Sequence, residues 1–227
     1  MTLPEAAASF PGRHRDAEGL FDQPAEVSIV DRGVAFNGRV WDVVHETFDY
    51  NDHHLTRDFV HHTGAVAVLA LDETDRLLAI RQYRHPVRLR EWEIPAGLLD
   101  LEDEDPLEAA QRELAEEVDL EAATWNVLAD YCTSPGGSDE IIRIYLARDL
   151  QATAVPFDRT EEEADLELRW VTLDDAVDAV TNNAVTNSIF QIAILRAHVA
   201  RERGWDGLPA ADAPWPLLQW RNATRAR

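Results

Sequence analysis

The chain has 227 residues, 45% hydrophobic and 28% charged, enough to bury a core in one large domain or in one domain with a smaller appendage. Its formal net charge is −22, from 43 acidic and 21 basic residues, and every basic residue is arginine. The absence of lysine excludes Schiff-base chemistry on an internal lysine, a P-loop and a kinase-type strand lysine, and the acidity opposes binding of a nucleic acid or an anionic membrane.

At the amino terminus, Met1 to Gly12 lacks the basic start and apolar stretch of a secretory signal. The first two dozen residues, with the breakers Pro4, Pro11, Gly12, Gly19 and Pro24, read as an arm. Val27–Val30 and Val40–Val44 are predicted strands separated by the turn dipeptide Asn37-Gly38, and Phe48–Thr56 is a predicted polar connection. Gly64–Leu71 is an apolar run of strand length, with Leu77–Tyr83 as its expected hairpin partner across the Asp72–Asp75 turn. Residues 84–105 read as loop.

Asp105-Pro106-Leu107-Glu108 is a helix start, with Asp105 as cap and Pro106 at the first helical position. Leu107, Ala110, Leu114 and Val118 then form one buried stripe. Trp125–Tyr131, Ile141–Ala147 and Leu166–Val171 read as strands, and Thr172–Val180 and Ser188–Glu202 as helices, with Gly204 as a stop. The tail, with Trp205, Trp215 and Trp220 among several prolines, reads as an extended strap. Strands and helices mix without regular alternation, which predicts α+β or mixed α/β architecture. No apolar run approaches the roughly 18 residues of a membrane helix. Cys132, the single cysteine, excludes an internal disulfide and is expected to pack beside Tyr131. These features together predict a cytoplasmic protein with no membrane or nucleic-acid partner.

Chemistry concentrates in Gly97–Glu104 and Arg112–Leu120. Glu113, Glu116 and Glu117 are spaced to share one helix face, away from the apolar stripe. Three like charges so close repel one another, and a hard divalent cation such as Mg²⁺ relieves that repulsion. Arg112 can pair with Glu116 one turn on or reach back to Glu104. Read alone, E-x-x-E-E is more often a solvated acidic face.

The stretch closely resembles the Nudix box, G-x5-E-x7-R-E-U-x-E-E-x-G-U, in which U is aliphatic. Glu104, Arg112, Glu113, Leu114, Glu116, Glu117 and Leu120 fall in place. The chain departs from it twice: six residues rather than five separate Gly97 from Glu104, and Asp119 replaces the second glycine. Asp119 is therefore expected in a left-handed conformation, which aspartate tolerates better than most residues.

The resemblance implies a Nudix-type α/β/α sandwich with a mixed sheet and a small amino-terminal β subdomain. It divides the chain into an arm with antiparallel dimerisation strands (1–60), a hydrolase domain (61–203) and a tail (204–227). It also implies a homodimer, and hydrolysis of a nucleoside diphosphate linked to another moiety, with Mg²⁺ (or Mn²⁺) held by Glu113, Glu117, Glu116 and the backbone of Ala96. Glu104, Arg112 and Glu116 are expected among the catalytic residues.

Arg81-Gln82-Tyr83-Arg84 and Glu91-Trp92-Glu93-Ile94-Pro95-Ala96-Gly97, with Pro135 fifteen residues beyond Leu120, resemble the ADP-ribose pyrophosphatase branch. That likeness implies release of AMP and ribose 5-phosphate from ADP-ribose. Another nucleotide sugar or ADP-linked metabolite is the alternative substrate, and a non-catalytic ligand sensor the alternative class. Glu162, or Glu161 or Glu163, is implied as general base. Arg84 is the expected phosphate grip, against a plain strand-end arginine. Trp41 stacks on adenine or packs in a core or interface. Arg57, Glu93, Gly97 and Pro135 complete the expected substrate contacts. His53, His54, His61 and His62 read as ordinary surface and strand-end residues, since no acidic or cysteine partner for a metal is evident nearby.

Overall fold

A computed structural model describes residues 20–101, 103–157 and 165–225. Its strands are β1 (Ile29–Phe36), β2 (Asp42–Tyr50), β3 (His53–His61), β4 (Ala65–Ala70), β5 (Arg76–Arg84), β6 (Leu89–Glu93), β7 (Ala96–Leu98), β8 (Leu120–Cys132), β9 (Ile141–Ala152) and β10 (Glu167–Thr172). Its helices are α1 (Pro106–Val118), α2 (Leu173–Thr181), α3 (Ser188–Glu202) and α4 (Pro216–Arg225). Two compact units result: the chain up to His62 with Ser134–Ile141 and everything from Pro214, and Thr63–Thr133 with Ile142–Ala213.

In the first unit β1, β2 and β3 form an antiparallel meander. Asn37-Gly38 lies in the β1–β2 connection, where a Cβ on Gly38 would stand 1.9 Å from the Trp41 carbonyl oxygen. The predicted polar connection at 48–56 is instead a tight hairpin. Asn51 and Asp52 both take positive φ (50° and 62°), as a type I′ turn requires, and the strands pair from Tyr50 and His53 onward. Aspartate and asparagine tolerate that conformation, so a polar dipeptide does the work usually given to glycine. The tail also differs from the strap: it forms α4, for which Pro216 supplies a preset first residue.

The second unit is built around β4, whose six residues are all buried. Parallel pairing with β9 and antiparallel pairing with β7 place β4 inside a mixed sheet of order β7-β4-β9-β8. With both edges of β4 taken, β5 is not its hairpin partner. β5 pairs with β10 and β6 in a separate antiparallel sheet, joined to the end of β4 by the bridge Leu71–Leu77. β6 and β7 occupy the segment predicted as loop. Their short length and polar content (Leu89-Arg90-Glu91-Trp92-Glu93) hide them from periodicity.

Alternation along β4 sends Val66, Val68 and Ala70 to one face, where they pack with Ala109, Ala110, Leu114 and Val118 of α1. Ala67 and Leu69 face the other way, against Leu173, Ala176 and Val180 of α2 and Phe190, Ala193, Ile194 and Ala197 of α3. Helices therefore cover both faces of the sheet, the expected α/β/α sandwich. α1 begins as predicted: the Asp105 carboxylate accepts the Leu107 N–H at 2.8 Å and Pro106 follows. It ends at Asp119, which is left-handed (φ 55°, ψ 38°) and donates its N–H to the Ala115 carbonyl at 3.0 Å. α3 spans Ser188–Glu202 as predicted, and the Asn187 side chain caps it by accepting the Phe190 N–H at 3.0 Å. Cys132, expected to be packed, is exposed at the end of β8.

Leu114 is fully buried beneath the carboxylate-bearing helix. Leu114→Ala is expected to destabilise the protein by about 2–5 kcal/mol, read by urea unfolding; a loss under about 1 kcal/mol contradicts this packing.

Candidate active site

The acidic face of α1 is organised by Arg112. Its Nε and Nη2 donate to the two carboxylate oxygens of Glu104 at 2.8 and 3.0 Å, a bidentate fork that ties the preceding loop to the helix. Its Nη1 donates to Glu113 Oε1 at 2.7 Å and to Glu116 Oε2 at 3.1 Å. The fork with Glu104 raises the guanidinium above its already high ordinary value, against the opposing effect of burial. The same hydrogen bonds hold the Glu104 carboxyl below its ordinary value. Both groups are therefore charged across the neutral range.

Glu117 is buried at 7% exposure, and its Oε2 accepts the Ala96 N–H at 3.0 Å. Beside it, a Cβ on Gly97 would fall 1.9 Å from Glu113 Oε1, so a side chain there would displace the Glu113 carboxylate from its place against β7. The first glycine of the box thus leaves Glu113 its place beside β7. Among the described residues no three His, Cys, Asp or Glu side chains already stand together as a closed ligand cage. The carboxylates are instead shared between Arg112 and the Ala96 peptide. The donor chemistry still fits a hard divalent cation: three carboxylates within about one turn of helix, all oxygen donors, with a strand backbone alongside.

Arg84, at the end of β5, donates from Nε and Nη2 to Glu93 Oε1 and Oε2 at 2.8 and 2.7 Å. Glu93 is 1% exposed and also accepts from Gln82 Nε2 at 3.2 Å. This pairing raises the Arg84 guanidinium above its usual value. Glu93 therefore has Arg84 and Gln82 as its direct partners, and it aims and stiffens the arginine. Next to them, Trp92 has the guanidinium carbons of Arg81 and Arg169 5.0 and 5.5 Å from its ring centroid. The sequence offers no local signal for either arrangement, because both depend on strand register.

These groups all belong to the second unit. Trp41, Arg57 and Pro135 belong to the first. There Trp41 stacks on His62, with ring centroids 3.9 Å apart and planes 24° from parallel. Arg57 is exposed, donates to the Thr56 carbonyl at 2.7 Å and lies opposite Glu46. Pro135 sits in a turn closed by the Gly137 N–H on the Ser134 carbonyl at 3.0 Å. Glu161, Glu162 and Glu163 lie outside the described residues. The histidines do have acidic partners, contrary to the sequence reading: His61 Nδ1 is 2.9 Å from Asp139 and His62 Nε2 is 3.2 Å from Glu140. The partners come from a segment remote in sequence.

Gly97→Ala pushes a methyl group into the Glu113 carboxylate. It is expected to weaken divalent-cation binding about 10- to 100-fold, measured by calorimetric titration with Mg²⁺. Unchanged affinity contradicts the close approach of β7 to α1.

Comparison with known proteins agrees with this geometry. The NUDIX domain family matches residues 61–190. An ADP-ribose pyrophosphatase of Mycobacterium tuberculosis is 44% identical over 144 residues, covering 63% of this chain and 69% of that protein. An ADP-ribose pyrophosphatase of Bacillus subtilis is 35% identical over 170 residues, covering 74% and 91%. Among solved structures, one described as an ADP compounds hydrolase superposes with a TM-score of 0.67 at 22% identity, over 81% of this chain and 98% of that one, a likeness of fold. With the box carboxylates in place on a fork-bound helix, the chain belongs to the NUDIX family, as one of its pyrophosphohydrolases.

Proposed function

We propose that the protein hydrolyses the pyrophosphate bond of ADP-ribose, releasing AMP and ribose 5-phosphate. The reading also assigns a divalent cation, Mg²⁺ in first place, to Glu113, Glu116, Glu117 and the backbone of Ala96. The observation that carries it is the acidic face of α1 held by Arg112 against Gly97 and Ala96. Two relatives named ADP-ribose pyrophosphatases support the substrate. A homodimer through the first unit fits the exposed Ile29, Val30, Val34 and Phe36 of β1. A cytoplasmic setting rests on composition.

When bound, the cation neutralises pyrophosphate oxygens and makes a water more acidic. The chain supplies the rest. Arg84, preset by the buried Glu93, grips the diphosphate through the guanidinium that this carboxylate keeps oriented. Arg112 holds Glu113 and Glu116 in place through Nη1. Glu162 is assigned as the base that takes a proton from the attacking water as the phosphorus–bridging-oxygen bond breaks. The departing phosphate leaves with the bond's electron pair. Trp41 is assigned to stack on adenine, with Arg57 and Pro135 as flanking contacts.

Two measurements test this reading. Glu117→Gln keeps an oxygen for the Ala96 N–H and so keeps the fold, but it removes the negative charge. It is expected to lower kcat on the order of 100-fold or more; a wild-type rate removes Glu117 from the ligand set. In a panel of ADP-ribose, nucleotide sugars and dinucleoside polyphosphates with Mg²⁺, ADP-ribose is expected to give the highest kcat/KM, at least about tenfold above the others. A nucleotide sugar in first place overturns the substrate assignment.

A further inference from the structure

A second constellation lies within the first unit, where α4, the end of β3 and the Ser134–Ile141 segment meet. Arg225 donates from Nε to Asp139 Oδ2 at 3.0 Å, and from Nη2 to the same oxygen and to the His62 carbonyl, the latter at 2.6 Å. Arg221, one turn earlier, reaches that carbonyl at 3.4 Å. The other Asp139 oxygen accepts the His62 N–H at 2.8 Å, and Oδ2 also stands 2.9 Å from His61 Nδ1. Backbone bonds join the same segments: Val60 N–H to the Gly137 carbonyl at 3.0 Å, and Asp139 N–H to the Val60 carbonyl at 3.2 Å. The His62 ring, fixed from both sides of its peptide, carries the Trp41 stack and meets Glu140 with Nε2.

Polar contacts help to seat this helix. Arg221 is its one buried residue, and a cavity of about 540 Å³, lined in part by Arg32, Phe59, Trp220 and Thr224, lies beside it. Burial pushes the Asp139 carboxyl up, but the His62 N–H, Arg225 and His61 outweigh that and hold it below its ordinary value. A lowered carboxyl stabilises the fold above the carboxyl's unfolded value and loses that contribution only as acid protonates it. The Asp139 carboxyl is therefore ionised at neutral pH.

We propose that Arg225 and Asp139 are positioning residues for base recognition: acting through His62, they fix the plane of Trp41 and the course of the Ser134–Glu140 loop. The carboxy-terminal helix thereby sets nucleotide affinity without touching the nucleotide. This rests on the reading that Trp41 stacks on adenine.

In the full chain, Arg225→Ala is expected to raise KM for ADP-ribose about fivefold to tenfold with kcat changed by less than about twofold. Competitive inhibition by AMP weakens in parallel, while inhibition by ribose 5-phosphate, which has no base, does not. Asp139→Asn, nearly the same shape without the charge, gives the same pattern, and Arg225→Lys restores part of the loss. Amide exchange at His62 and Asp139 quickens in Arg225→Ala. Unchanged KM and AMP inhibition in both Arg225→Ala and Asp139→Asn overturns the proposal. Equal weakening for AMP and ribose 5-phosphate also overturns it, since that marks a general structural role. Trp41→Ala separates the two readings. If it leaves AMP inhibition unchanged, base stacking fails and positioning falls with it. If it weakens AMP inhibition while Arg225→Ala does not, only the positioning role is wrong.

Discussion

The interaction on which the site depends is the fork of Arg112, which spans Glu104 with two nitrogens and reaches Glu113 and Glu116 with a third. Carboxylates three and four residues apart on a helix repel one another, and nothing in helix propensity favours gathering them. A guanidinium can offset that repulsion while leaving oxygens for another cation, because it binds along one edge of each carboxylate. Arginine suits this place better than lysine, since its planar fork engages several partners in fixed directions. The same contact anchors the loop before α1, so loop and helix share one electrostatic keystone.

The scaffold brings β7 to that face through a single strand. Val66 of β4 packs in the cluster that contains Leu114, and its backbone pairs in register with Gly97, while Ala67 pairs with Ala96. One buried strand thus fixes both the seat of α1 and the height of the peptide that meets Glu117 and Glu113. The sandwich keeps this arrangement stiff, because β4 is enclosed by helices on both faces and by strands on both edges. Asp119 shows a second economy. Its left-handed turn ends the helix without glycine, and its carboxylate accepts the Phe157 N–H at 2.7 Å, which links the helix end to the segment after β9.

Much of α1 was legible because its signals are local. The Asp105-Pro106 start, the Leu114 stripe and the glutamate spacing all lie within a few turns of one another. Asp119 was legible for the same reason. Long-range pairing was not. Nothing near Leu77 reveals that β5 leaves β4 to pair with β10, and nothing near Glu93 reveals that Arg84 will close on it across the β5–β6 ladder. The acidic partners of His61 and His62 arrive from Asp139 and Glu140, 78 residues away in both cases, beyond any window of periodicity. The tail misled by composition: its prolines and tryptophans suggest an extended strap, yet Pro216 serves as the first residue of a helix.

The central claim is that the carboxylates of α1 form a binding face for a divalent cation. Manganese titrated into the full chain and followed by electron paramagnetic resonance tests it directly. The account predicts saturable binding to the native protein that disappears when Glu113 and Glu117 are both replaced by glutamine, with the circular dichroism spectrum preserved. Equal affinity in the doubly substituted protein contradicts it.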